Sequence, residues 1–145
     1  CVYETGTYMT RVYVDMVADL FHYGHANFLK QARQFGDFLI VGIHSDKVVE
    51  GYKRPPIMSM QERIDTVSSC RYVDEVLPNA PLTIDQKWIS VHNIDLVVHG
   101  DDFSDEMKNI CYKTPIELGI FRLVSYTPGV STTEIIKRIK NIDNP

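Results

Sequence analysis

The chain has 145 residues, 44% apolar and 23% charged, the composition of an ordinary folded globular protein; this excludes a disordered, collagenous or fibrous chain and leaves room for one core without disulfide or metal staples. Nineteen acidic against fifteen basic side chains give a formal charge of −4, so no whole-domain field draws in nucleic acid or an anionic membrane, and an anionic ligand requires a local positive site. Its longest apolar stretch, Phe38 to Ile43, falls far short of the roughly 20 residues that span a bilayer. The three cysteines, Cys1, Cys70 and Cys111, match neither zinc nor redox spacing and predict reduced thiols in a cytoplasmic protein. Cys1 to Thr10 precedes the first convincing strand and is expected to be a vector remnant or an upstream piece of a larger chain, with residues 11–145 forming a single domain.

In chain order, Arg11 to Val17 alternates apolar with polar residues and is rich in valine, which predicts a first strand. After a loop through Asp19 and Gly24, the helical spacing of Phe28, Leu29 and Ala32 predicts a helix over His25 to Phe35, stopped at Gly36 and Asp37. Phe38 to Ile43 is apolar almost without alternation, as in a strand covered on both faces of a parallel sheet. Ser45 to Glu50 reads as a short helical or irregular turn, and the prolines of the Gly51 to Pro56 segment predict a mobile loop. Ser59 and Glu62 form a capping box for a helix running to about Tyr72. Next come a short strand at Glu75 to Leu77, a loop from Pro78 to Thr83, a helix over Ile84 to Val91, and a buried strand over Asp95 to His99 that ends in Gly100, Asp101 and Asp102. Asp105 to Leu118 is ambiguous; Phe121 to Ser125 predicts a last strand, and Ser131 with Glu134 caps a final helix through Ile139. Strands and helices alternate to the end, which predicts a doubly wound α/β domain whose ligands gather beyond the carboxyl ends of the strands.

Two segments carry chemistry. His22, Tyr23, Gly24 and His25 place two histidines around a glycine where a strand-exit loop meets a helix start. Free N–H groups and about half a unit of positive charge make such a start an anion site, and glycine lets a phosphate approach the backbone. Standing alone, a His-x-x-His pair is more often two satisfied histidines. Zinc is disfavoured because a helix face wants i, i+4 spacing and further ligands. Near the other end, Thr127, Pro128, Gly129, Val130, Ser131, Thr132 and Thr133 lead into the last helix, a second glycine-hydroxyl turn able to clasp phosphate; alone, Ser131 reads equally well as an N-cap.

These segments resemble the nucleotidyltransferases with a His-x-Gly-His signature, and within them the cytidylyltransferases that act on glycerol phosphate, ethanolamine phosphate and choline phosphate. The resemblance extends through "GDFLIVGIHSD" at Gly36 to Asp46, "YKRPP" at Tyr52 to Pro56, "QER" at Gln61 to Arg63, "RYVDEVLPNAP" at Arg71 to Pro81, "VVHGDD" at Val97 to Asp102 and "GVSTTEI" at Gly129 to Ile135. It implies a Rossmann-like sheet of the nucleotidyltransferase type. The implied reaction moves a cytidylyl group from CTP to a phosphate oxygen of a small anionic acceptor, releases pyrophosphate and uses Mg2+ with the CTP and no protein metal site. By the same resemblance His22, His25, Lys53 and Arg63 are the catalytic, phosphate-directed residues; Val17, Ala18, Asp19, Gly24, Gly129, Ser131, Thr132 and Thr133 bind CTP; and Asp15, His99 and Asp101 line the acceptor pocket. Members commonly pair as homodimers through the region corresponding to Arg11 to Phe28.

Departures from the pattern narrow the substrate. Met16 and Ala18 stand where glycine and an aromatic are usual, Tyr126 replaces an arginine, Pro128 replaces an acidic or amide residue, and Leu82 follows Ala-Pro where choline enzymes place a ring. A trimethylammonium is therefore a poorer fit than ethanolamine phosphate, glycerol phosphate or a hydroxyethyl-type phosphonate. The strings "PIELGIFR" and "YTPGVSTT" are most similar to cytidylyltransferase domains of phosphonate pathways, including the one fused to a phosphonate-forming mutase in fosfomycin biosynthesis, so a second enzyme domain on the same protein is expected. The competing expectations are an adenylyltransferase of the same fold and a non-catalytic nucleotide-binding domain.

Overall fold

In a computed structural model, residues 8–143 are described; the remainder of the Cys1 to Thr10 segment, residues 1–7, lies outside them, as do residues 144–145. Five strands, β1 (Arg11–Met16), β2 (Phe38–Ile43), β3 (Glu75–Leu77), β4 (Leu96–Gly100) and β5 (Phe121–Val124), form one sheet in the order β3-β2-β1-β4-β5, every pair parallel. Arg11 pairs with Phe38 and Met16 with Ile43, so β1 and β2 exit the sheet level with one another. The chain builds outward from β1 through β2 to β3, then returns to lay β4 on the other side of β1. That reversal between β1 and β4 is where a crevice opens at the carboxyl edge of a parallel sheet.

Alternation along β1 assigns the two faces. Val12 and Val14 pack with Leu29, Ala32 and Val67 under α1 (Tyr23–Arg33) and α3 (Met60–Ser68), beyond the short α2 (Asp46–Glu50). Tyr13 faces the opposite cluster of Ile84, Ile89, Ile94, Cys111 and Tyr112, beneath α4 (Gln86–Val91), α5 (Asp105–Cys111) and α6 (Lys113–Glu117). The final helix, α7 (Thr132–Lys140), buries none of its residues. No helix among the described residues is long and apolar enough to cross a membrane.

Several boundaries move for identifiable reasons. Helix α1 begins at Tyr23 because His22 caps it. Helix α3 ends at Ser68 instead of Tyr72: Thr66 and Ser69 hydroxyls bond back to the carbonyls of Glu62 and Asp65 at 2.8 Å each, and such back-bonding competes with the helix. Asp85 caps α4 through the Trp88 amide, which leaves Ile84 outside the helix as a core residue. The ambiguous stretch resolves into two short helices broken at Tyr112. Ordered bonding also starts ahead of Arg11: the Thr10 carbonyl accepts from Asp37 and Phe38 amides at 2.9 and 3.2 Å, and its own amide donates to Asp37 at 3.0 Å.

Candidate active site

A cleft of about 900 Å3 opens above β1, β4 and β5, with a small chamber of about 110 Å3 beside it. On its floor the two signature histidines cap their own helix. His22 Nδ1 accepts the Gly24 amide at 3.0 Å, and His25 Nδ1 accepts the His22 amide at 3.1 Å. A nitrogen that accepts carries no proton, so both neutral rings hold theirs on Nε2, the atom left for a ligand. The ring centroids lie 4.0 Å apart and both rings line the cleft. Burial, then the neighbouring His22 and Lys53, lower the pKa of His25 to about 4; burial also lowers that of His22. Near neutral pH the pair therefore offers N–H donors without positive charge. Gly24 is required for this packing, since a Cβ there would lie 2.7 Å from His22 Cε1.

The loop from β1 to α1 takes left-handed backbone at Ala18 (φ 59) and Leu20 (φ 48), a conformation that costs a non-glycine residue on the order of 1 kcal/mol. Asp19, between them, holds the strained turn. Its buried carboxylate accepts the amides of Ile57 and Met58 at 2.9 Å each and Arg54 Nη1 at 3.2 Å, while its carbonyl accepts the Thr132 hydroxyl at 2.9 Å. Burial alone would raise the Asp19 pKa, but those two amides and the guanidinium outweigh it and lower the pKa. Asp19 thus pins the Gly51 to Pro56 loop over the site, with Lys53 and Arg54 lining both cavities together with Val17. Ala18 and Asp19 line the small chamber.

Arg63 sits elsewhere than expected. It is fully buried and lines neither cavity. Its Nη1 donates to the carbonyls of Val17 and His44 at 2.8 Å each, Nε donates to the Met58 carbonyl at 3.3 Å, and Nη2 pairs with Asp46. Instead of meeting phosphate, this guanidinium ties the exits of β1 and β2 together, and is a positioning residue.

The far wall holds the second helix start. Ser131, Thr132 and Thr133 line the cleft, but the Ser131 hydroxyl accepts the Glu134 amide at 3.0 Å as an N-cap and Thr132 bonds Asp19. Gly129 does not line the cleft; with φ +87 it makes the turn into α7. Asp101 is likewise displaced: its carboxylate accepts the Tyr126 amide at 2.8 Å and holds the segment after β5, while the neighbouring Asp102 faces the cleft.

Asp15 lies deepest. Tyr112 donates its hydroxyl to Asp15 Oδ1, and Oδ2 is buried without a partner, 3.7 Å from His44 Nε2 and so beyond hydrogen-bond reach. His44 Nδ1 donates to the Ala80 carbonyl at 3.1 Å, which leaves Nε2 for a ligand. Around this carboxylate stand Tyr52, Tyr112, Phe103 and His99, the last stacked on Phe103 at 4.1 Å. Sequence reasoning located Asp15 and His99 but missed His44, Tyr52, Tyr112 and Arg54; of these only Arg54, beside Lys53 in the proline-rich loop, had a local signal.

Residues 16–138 match the family model described as cytidylyltransferase-like. The chain is 49% identical over 138 residues to an ethanolamine-phosphate cytidylyltransferase of Dictyostelium discoideum, covering 92% of this chain and 38% of that protein. It is 43% identical over 132 residues to the human choline-phosphate cytidylyltransferase A, covering 89% and 36%. This chain therefore spans less than half the length of these curated relatives. Among solved structures, the lipopolysaccharide core biosynthesis protein of Thermoplasma volcanium superimposes with a TM-score of 0.67 at 25% identity, over 85% of this chain and 100% of that one.

Proposed function

Because the chain belongs to the cytidylyltransferase-like family, we propose that it transfers a cytidylyl group from CTP to the phosphate of a small amino alcohol, ethanolamine phosphate above all. In this reaction an acceptor phosphate oxygen attacks the α-phosphorus of CTP. A new P–O bond forms, the bond from that phosphorus to the bridging oxygen breaks, and pyrophosphate departs with the electron pair. Such a step asks a protein mainly for positioning and for stabilisation of charge on the phosphoryl oxygens. His22 and His25 supply Nε2–H donors at the start of α1, whose dipole favours the same anions, and Lys53 supplies a cation from the loop above.

Among the described residues no cluster of three acidic, histidine or cysteine side chains could cage a metal ion. Magnesium would suit this site as an ion brought in on the substrate phosphates, with Asp102, an exposed cleft-lining carboxylate distinct from the buried Asp15–Tyr112 pair, the residue that would hold it. When bound, it would neutralise part of the triphosphate charge.

The observation that carries the acceptor assignment is the partnerless Asp15 Oδ2, buried opposite His44 Nε2 and ringed by aromatic side chains. A primary ammonium has N–H donors for both atoms and a charge for the carboxylate and the rings. Trimethylammonium has no donor, glycerol phosphate no charge at that end, and each unmet buried partner costs about 1–3 kcal/mol, or roughly 5- to 150-fold in discrimination.

Pyrophosphate release with CTP or ATP, against ethanolamine phosphate, choline phosphate, glycerol phosphate and 2-hydroxyethylphosphonate, tests the proposal. CTP with ethanolamine phosphate is expected to give the highest kcat/KM. Preference for ATP, preference for the phosphonate, or CTP binding with no turnover on any acceptor would each overturn it.

A further inference from the structure

The small chamber and the main cleft share Val17, His25, Lys53, Arg54 and Thr132, and the chamber is closed by Ala18, Asp19, Val49 and Pro56. Its charged walls are Lys53, Arg54 and the Asp19 carboxylate. That carboxylate is already engaged by the Ile57 and Met58 amides, one on each oxygen, so the chamber presents two cations against one carboxylate already committed to the backbone. Arg54 makes both of its protein bonds through Nη1, to Asp19 at 3.2 Å and to the Pro55 carbonyl at 3.3 Å. The rest of the fork, Nε–H and Nη2–H, is left for a ligand. Asp19 therefore aims the guanidinium as a pre-positioned bidentate donor, the geometry that suits two oxygens of a phosphate or of a pyrophosphate.

We propose that Arg54 is a further substrate-binding residue, holding the terminal phosphates of the nucleotide and the departing pyrophosphate in the small chamber. This rests on the reading of the site as a nucleotidyltransferase and names the residue that receives its leaving group. As the bond to the α-phosphorus breaks, negative charge builds on the oxygen joining it to the β-phosphate, and a cation fixed on that side lowers the barrier as well as strengthening binding. Lys53 alone, as a flexible point charge, cannot bridge two oxygens in a fixed plane. Asp19 stays anchored by two backbone amides when Arg54 is removed, so the loop keeps its place and the charge can be tested by itself.

Calorimetric binding of CTP, CMP and pyrophosphate to wild type, Arg54→Ala, Arg54→Gln and Arg54→Lys separates the alternatives. Arg54→Ala and Arg54→Gln are expected to weaken CTP and pyrophosphate about ten-fold or more and leave CMP within about two-fold, with Arg54→Lys intermediate. Unchanged CTP and pyrophosphate binding would overturn the assignment. So would equal losses for CTP and CMP, or full recovery with glutamine, since either outcome makes Arg54 only a loop pin. Should wild type bind pyrophosphate but no cytidine nucleotide, the proposed function fails while the Arg54 assignment is still read on pyrophosphate.

Discussion

Replacing Arg63 with lysine keeps the charge but removes the planar fork, and the structure sets what that must cost. Three carbonyls, those of Val17, His44 and Met58, depend on this fully buried guanidinium for a donor. A lysine ammonium on a shorter reach satisfies at best one of them together with Asp46. Two buried acceptors left unmet, at about 1–3 kcal/mol each, predict a loss of roughly 2–6 kcal/mol, with Arg63→Ala at or above the upper end. Against a typical 5–15 kcal/mol of total stability, the urea midpoint of Arg63→Lys should fall by a third or so without a change in m. Because the guanidinium faces neither cavity, CTP affinity measured well below the unfolding transition should stay within about three-fold of wild type, while kcat falls as the β1 and β2 exits loosen. A wild-type midpoint combined with a ten-fold loss of CTP affinity would refute this and restore Arg63 as a phosphate ligand.

His25 yields a pH prediction with a definite sign. Its folded pKa of about 4 lies below the ordinary 6.5, so between those values the unfolded chain binds the proton that the folded chain refuses. Stability from this group is full above pH 6.5 and erodes as the pH falls toward 4, by on the order of 3 kcal/mol; the gap between wild type and His25→Asn in urea midpoint should narrow over that window, and a constant gap would contradict the titration. Asp15→Asn retains the bond from Tyr112 but loses the anion, so KM for ethanolamine phosphate is expected to rise about ten-fold or more while KM for CTP stays unchanged; an unaltered acceptor KM would remove Asp15 from the acceptor pocket.

What the sequence discloses and what it hides divide along local and non-local physics. Capping boxes, proline breaks and the unalternating Phe38–Ile43 run depend on neighbours within a few residues, and the elements they announce are in place. The same holds for the two helix starts and Asp15. Arg63 is different: its bonds reach residues 19 and 46 positions away, and nothing in an amphipathic helix distinguishes a cation that faces ligand from one that turns inward to backbone carbonyls. Asp101 and Asp102 are adjacent carboxylates, and only the return of the chain after β5, which presents the Tyr126 amide, decides which one faces the cleft. Asp19 lines the small chamber, but its partners, amides 38 and 39 residues downstream, are equally invisible to local reading.

A formal charge of −4 excludes broad attraction of polyanions, yet the cleft departs from that average. Lys53 and Arg54 descend from the loop after β2, and Lys137 and Lys140 line the opposite side from α7, against Asp15 and Asp102. Asp15 is buried beside Tyr112, whereas Lys53 and Arg54 come from the loop above the α1 start and Lys137 and Lys140 from the last turn of α7, so the cleft carries its cations apart from its buried carboxylate. A phosphorylated amino alcohol carries the complementary pattern, ammonium at one end and phosphate at the other. The neutral histidines complete this division. In the proposed reaction they would donate hydrogen bonds to phosphoryl oxygens without adding charge that would bind product pyrophosphate as strongly as the transition state, and long-range attraction would fall to the exposed lysines. Lys137 and Lys140 are exposed at the last turn of α7, and charges more than about 8 Å apart are screened at physiological salt, so added salt should weaken CTP capture while leaving the histidine-dependent chemical step largely unaffected.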